Sequence, residues 1–226
     1  MVRLIALLLT VLTGFAGLVY EVAWQKYLAA LLGSHGEATA AVLAIFLGGL
    51  SAGYALFGRM TRRVLERARR RGQRPQLLSF YACVEAGIGV YALLFPILFG
   101  FAQKLSLLGP LDHDALGFAF DVVVSALLIG PPAVLMGGTI PILTLALAGD
   151  FARATRVHAW IYGTNTLGAF AGALAGGFWL IPLLGLDGVV RAMGGLNLAA
   201  ALIFAALEWR AGALRQAADA CDMLSE

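Results

Sequence analysis

Charge is scarce in this chain: Asp, Glu, Lys and Arg together make 13% of its 226 residues, against 61% hydrophobic residues. With a mean hydropathy of +0.86, that excludes an ordinary soluble domain, in which about 25% of residues are charged. Cysteine is rarer still. Cys83 lies in an apolar run and Cys221 in a polar tail, so no spacing supports a disulfide framework or a zinc site. The three histidines, His35, His113 and His158, fall in or near loops, which leaves no intramembrane pair to ligate a haem. A Walker-type phosphate loop, a Gly-x-Ser-x-Gly elbow and a His-Glu-x-x-His helix are all missing, so nucleotide binding, serine hydrolysis and zinc proteolysis lose their usual carriers. No nucleophile and base set is recognisable. The expectation is a protein that is not an enzyme and that holds no metal and no cofactor.

What the chain has in abundance is long apolar runs. They lie near 4–32, 38–58, 77–102, 116–148, 158–181 and 188–208, and each is long enough to cross about 30 Å of hydrocarbon. Hydrocarbon offers open backbone groups no partner, so each run is read as helical. The first starts like a signal peptide but continues past Tyr20 to about Leu32 without an Ala-x-Ala ending, and is read as a retained helix. The fourth is interrupted by Gly130-Pro131-Pro132 and by Gly137-Gly138-Thr139-Ile140-Pro141. It is either one kinked span or a span followed by a re-entrant or surface helix. The expected architecture is an all-α integral membrane protein of about six transmembrane helices, with a membrane domain over 1–209 and a short cytoplasmic tail over 210–226.

Orientation follows from the basic residues. The net charge is +3 and the pI about 9.1, yet half of the 16 basic residues fall between Arg59 and Arg74, beside a span. That is a topology signal rather than a nucleic-acid surface. With six spans, Arg3, the Arg59–Arg74 group, Arg153, Arg156, Arg210 and Arg215 share one side, which makes it cytoplasmic and puts both termini there. The opposite loops hold His35, Glu37, Asp112, His113, Asp114 and Asp187, with Lys104 and Arg191 as exceptions.

Ionisable residues inside spans are expensive and mark candidate sites. Glu21 lies about 17 Å from the outer end of its span at 1.5 Å per residue, with Gln25 on the same helix face and Trp24 beside them. This polar strip with an aromatic wall suits a cation; alternatively Glu21 is a packing residue bonded to a neighbouring helix. Lys26 is close enough to the outer end to snorkel. Glu85 is a second candidate, with Arg59 or Arg62 as structural partners across the loop. Asp121 reads as a helix-start residue. Asn165 and Asn197 can hydrogen-bond between helices, as ligands or as glue. Gly168, Gly172 and Gly176 form a small-residue stripe, and Gly49 with Gly53 repeats it, so these glycines are assigned to close helix packing.

Four segments carry a family resemblance: GFAGLVYEVAWQ from Gly14, FLGGLSAG from Phe46, PAVLMGGTIPIL from Pro132 and YGTNTLGAFAGALAGG from Tyr162. In that order they resemble the membrane part of the fused spermidine-synthase-like proteins, whose spans look like half of a major facilitator superfamily transporter. The resemblance runs from about Gly14 to Leu207. In that family a cytoplasmic aminopropyltransferase-like domain commonly follows, and since this sequence stops at Glu226, synthase chemistry is expected to be absent from it. Gly58-Arg59-Met60-Thr61-Arg62-Arg63 is similar to a loosened form of the superfamily's cytoplasmic loop motif, with Thr61 where an acidic residue is usual.

The resulting expectation is a half-transporter-like subunit of the bacterial inner membrane, acting in a complex as a homodimer or with other membrane subunits. Its expected ligand is a small cation such as a polyamine, bound among Glu21, Trp24, Gln25, Glu85 and Asn165. The alternative is a non-catalytic structural or assembly subunit whose glycine-lined helices dock onto a larger membrane complex. Lipid is the expected surround in both readings, and nucleic acid a partner in neither.

Overall fold

A computed structural model describes residues 2–33, 36–73, 75–109, 114–148 and 151–224. His35, Asp112 and His113, assigned above to the outer loops, lie outside the described residues, as do the side chains of Glu37, Asp114, Arg215 and Cys221. The described chain is helical almost throughout: α1 (Val2–Leu32), α2 (Gly36–Arg70), α3 (Leu77–Ser106), α4 (Asp114–Ala148), α5 (Phe151–Ala175), a π-helical turn (Gly176–Leu180) and α6 (Ile181–Leu224). Five stretches are long and apolar enough to cross a membrane: Arg3–Leu32, Thr39–Arg70, Leu77–Ser106, Ala115–Ala148 and Arg153–Ala211.

That count is five rather than the expected six because the last stretch is a single run of 59 residues. It is not a single rod. At 1.5 Å per residue a straight helix of that length would be about 88 Å long, and Gly185 breaks it with φ 69° and ψ 173°, a conformation that a side chain would resist. Contacts on either side of Gly185 show the chain reversing. Gly168 and Gly172 of α5 and Gly176 of the π-helical turn meet Val11, Phe15 and Val19 of α1 in ascending order, so α5 runs in the same sense as α1. Beyond the break, the Tyr27 hydroxyl donates to Asp187, the Tyr20 hydroxyl donates to Asn197 Oδ1 at 2.8 Å, and the Leu78 N–H donates to Glu208 at 2.9 Å. These partners descend through α1 toward the start of α3, so α6 runs opposite to both.

The same reasoning places every helix. α2 and α4 run together, with Gly49 against Ala133, Gly53 against Val134 and Gly138 against the Phe57 ring. Phe57 of α2 packs on Phe80 near the start of α3, ring centroids 5.9 Å apart. The end of α2 therefore coincides with the beginnings of α1, α3 and α5. Arg3, Arg59, Arg62, Arg63, Arg67, Arg69, Arg70, Arg153, Arg156 and Arg210 thus gather at one end of the bundle, and Lys104 and Arg191 lie at the other.

The small-residue stripes act within the chain. A Cβ on Gly168 or Gly172 would run into the Val11 or Phe15 carbonyl of α1, and one on Gly53 into the Val134 carbonyl of α4. Without side chains at these positions the backbones come into contact, which is the main source of attraction between helices where lipid removes the hydrophobic drive. Gly137, Gly89 and Gly194, not singled out in the sequence, are used in the same way.

The prolines of α4 do not divide it. Pro131, Pro132 and Pro141 all lie inside one helix from Asp114 to Ala148, so the re-entrant alternative is not what forms. Proline at 132 cannot donate to the carbonyl four residues earlier, that of Leu128. The Tyr91 hydroxyl of α3 donates to that carbonyl at 2.6 Å instead. A side chain from a neighbouring helix thus supplies the bond the imino acid removes, as membrane helices with proline require.

Candidate functional site

All six helices contribute to one chamber of about 730 Å³. Its wall on α1 comes from Thr13, Gly14, Gly17 and Tyr20, on α2 from Leu50, Ser51 and Tyr54, and on α4 from Met136 to Ile140 except Gly138. Gly17 leaves room there because it carries no side chain, whereas the space beside Gly14 is filled by Asn165. Glu85 of α3, Asn165 of α5 and Asn197 of α6 border it as well. Glu85 is the one charged residue in the wall.

Glu85 is fully buried, at 0% exposure, and Asn197 nearly so at 2%. The Asn197 amide nitrogen donates to Glu85 Oε2 at 2.6 Å, while the Asn197 oxygen accepts from the Tyr20 hydroxyl. These two bonds orient the amide: a flip would set its oxygen against the carboxyl and its NH2 against the phenol. Three helices are joined by this relay, Tyr20 on α1, Asn197 on α6 and Glu85 on α3. Glu85 Oε1 makes no hydrogen bond of ordinary geometry among the described residues, and the buried Tyr81 hydroxyl, one turn earlier on α3, is the other side-chain donor beside the carboxyl. An unmet carboxyl oxygen in an apolar interior costs free energy that a donor would relieve.

The chamber's other polar feature is aromatic. His158 stacks on Tyr162 with centroids 6.2 Å apart and 24° between planes, and meets Tyr54 edge to face at 6.3 Å. His158 Nδ1 lies 3.2 Å from Thr144 Oγ1 of α4. Expected in or near a loop, His158 is instead an inner residue of α5, because that helix begins at Phe151, before the apolar run does. A second cavity of about 430 Å³ continues from this point toward the arginine-bearing end, sharing Tyr54, Ala55 and His158 with the chamber and bordered by Arg62.

Of the residues expected to form the site, Glu85 and Asn165 border the chamber, and Asn165 also packs its carbonyl and side chain against Gly14. Glu21 and Gln25 do not border it and are partly buried on α1, one and two turns beyond Gly17. Trp24 is in the core, stacked between Tyr20 at 5.3 Å and Phe95 at 5.4 Å and edge-on to Phe46, with its Nε1 unpartnered. The aromatic wall read beside Glu21 is thus packed against α2 and α3. Glu85 bonds to Asn197 rather than to Arg59 or Arg62. Asp121, read as a helix-start residue, lies two turns inside α4, with Oδ1 buried and unpartnered.

Sequence reasoning missed Tyr54, His158 and Tyr162. Their signal was available in the spacing, since His158 and Tyr162 are four apart and share a helix face with Asn165, but it needed α5 to start earlier. Among the described residues no group of three or more His, Cys, Asp or Glu gathers as a metal site would need. The fold and the chamber together define an all-helical bundle, among the described residues, with helices long and apolar enough to cross a membrane and a cavity whose wall carries an acidic residue. No family model, no curated protein and no solved structure matches the chain.

Proposed function

We propose that this chain is a polytopic membrane subunit of half-transporter type that binds a small organic cation at Glu85. Both arms of the hairpin at Gly185 cross the bilayer in this reading, giving six spans, with the arginine-bearing end in the cytoplasm. A second copy or another membrane subunit faces the chamber side of the bundle to complete a path, as two halves do in transporters built from repeats. The observation that carries the reading is Glu85 Oε1, a carboxyl oxygen with no hydrogen bond of ordinary geometry among the described residues, on the one charged residue in the wall of the chamber. Tyr20, Tyr54 and Tyr162 border the same space, and ring faces favour an ammonium group where water is sparse. The resemblance to spermidine-synthase-like membrane proteins points to amines by association alone.

The test is calorimetric titration of putrescine and longer diamines into detergent-purified protein. Binding in wild type and its loss in Glu85→Gln, with elution volume and melting temperature preserved, is the expected result. Glutamine keeps the shape and the acceptor for Asn197, so an unfolded variant would not be the cause. Equal affinity in both proteins would remove Glu85 from the site.

The second reading, an assembly subunit, is favoured by the exposed strip of Trp160, Leu167, Phe170 and Phe178 on α5 and its extension. Its glycine stripes are used within the chain, so this strip would have to supply the docking face. Recovery of a stoichiometric complex that Trp160→Ala disrupts, together with no amine binding, would favour it.

A further inference from the structure

The chamber and the second cavity have one charged residue each, and the two are opposite in sign: Glu85 in the first and Arg62 in the second. They adjoin, because Tyr54, Ala55 and His158 border both. We infer that together they form a single elongated site for a bipolar chain, an amine at one end and a carboxylate at the other, with the amine toward Glu85 and the carboxylate toward Arg62. The inference rests on the amine reading of the chamber and narrows its ligand.

Helix register sets the length of that chain. Phe57 of α2 packs on Phe80 of α3, and the two helices run in opposite senses, so Glu85 is level with about residue 52 of α2. Arg62 lies ten residues farther along, about 15 Å at 1.5 Å per residue. The arginine side chain can shorten this gap by reaching back along the cavity, as its flexible stem allows. A four-carbon amino acid is too short to bridge it; an eight-carbon one is a reasonable match. Between the charged ends Ala55, Gly58, Ile140 and Pro141 give methylene groups an apolar surface, beside the polar groups of Tyr54, Thr144 and His158. A plain diamine would have to leave its second ammonium near Arg62, where like charges repel. A carboxylate there meets a planar guanidinium, which binds it through paired hydrogen bonds.

The experiment compares an eight-carbon ω-amino acid, the eight-carbon diamine, octanoate and a four-carbon ω-amino acid by calorimetry on detergent-purified wild type, Arg62→Gln, Arg62→Lys and Glu85→Gln. Wild type is expected to bind the long amino acid about tenfold more tightly than the diamine, the factor a charge-assisted hydrogen bond supplies. Arg62→Gln should erase that preference from both sides, weakening the amino acid by removing its carboxylate's partner and tightening the diamine by removing the like charge that repels its second ammonium. Arg62→Lys should retain part of the preference, and the four-carbon compound should be indifferent to either change. If the diamine binds in a Glu85-dependent way but the long amino acid has no Arg62-dependent advantage, the bipolar inference is overturned and the amine reading stands. If folded wild type binds neither amine, the amine reading falls and the inference with it. Tighter binding of octanoate than of the amino acid would also overturn it, since Glu85 would then contribute nothing.

Discussion

Two kinds of helix contact hold this bundle together, and they differ in what they leave unfinished. The pairs α1 with α5 and α2 with α4 meet through glycine, with backbone on backbone at Gly168, Gly172, Gly53 and Gly137. Nothing polar is left over there. Where α1, α3 and α6 meet, a relay of side chains from Tyr20 through Asn197 to Glu85 makes the contact, and it ends on an oxygen with no hydrogen bond of ordinary geometry among the described residues. A contact optimised for stability alone would close that last valence or dispense with the polar groups. The comparison separates residues that only hold helices together from a cavity-wall acid that also has bonding capacity to spare.

Breaking the glycine contact should have the largest effect. Gly168→Leu places a branched side chain where the Val11 carbonyl already sits; overpacking of this kind costs about 3 kcal/mol or more where backbone must move. The expected outcome is loss of monodisperse protein on size-exclusion chromatography and a markedly lower melting temperature. A well-behaved variant with unchanged melting would show that α1 and α5 are not in backbone contact.

Glu85→Gln should act in the opposite way, with at least about 30-fold loss of amine affinity, the equivalent of about 2 kcal/mol for a charge-assisted bond. Thermal stability should hold or rise, because a buried acidic group is replaced by a neutral one. Destabilisation without loss of binding would assign Glu85 to packing instead.

Tyr91→Phe tests the proline repair in α4. Leaving the Leu128 carbonyl without its donor should cost about 1 to 3 kcal/mol, read as a fall in melting temperature with amine binding retained. Unchanged stability would mean that another donor serves that carbonyl.

The smallest effects are expected at Glu21. Since it does not border the chamber, Glu21→Gln should leave amine affinity within about twofold, as distant sites are nearly independent. A strong loss of binding there would return the site to the strip of Glu21, Trp24 and Gln25 on α1.

Much of the architecture was legible because lipid solubility and backbone hydrogen bonding are one-dimensional demands. A run of apolar residues must be helical in hydrocarbon whatever lies beside it, which is why the runs at 77–102 and 116–148 were read close to α3 and α4. The glycine spacing of four in the fifth run was legible for the same reason, since it depends on helical period alone. The hairpin at Gly185 was harder: helix continues on both sides and a single positive φ makes the turn. The prolines of α4 read as interruptions because a repair such as that at Pro132, where Tyr91 bonds the Leu128 carbonyl from 37 residues away in the chain, is not local.

The site was only half legible. Glu85 and Asn165 are costly polar residues inside apolar runs, and that cost is visible without a fold. Glu21 carries the same cost in its sequence, and nothing local distinguishes it from Glu85. Composition and periodicity determined that the chain is helical, lipid-compatible and basic at one end, because burial in hydrocarbon acts on each segment separately. Only the tertiary structure decided which acid borders a cavity, which asparagine orients it and which aromatics surround it, because these depend on the rotation of each helix about its axis and on the partner it meets. Glu85 and Asn197 are 112 residues apart, and their bond exists only once α3 and α6 are packed side by side.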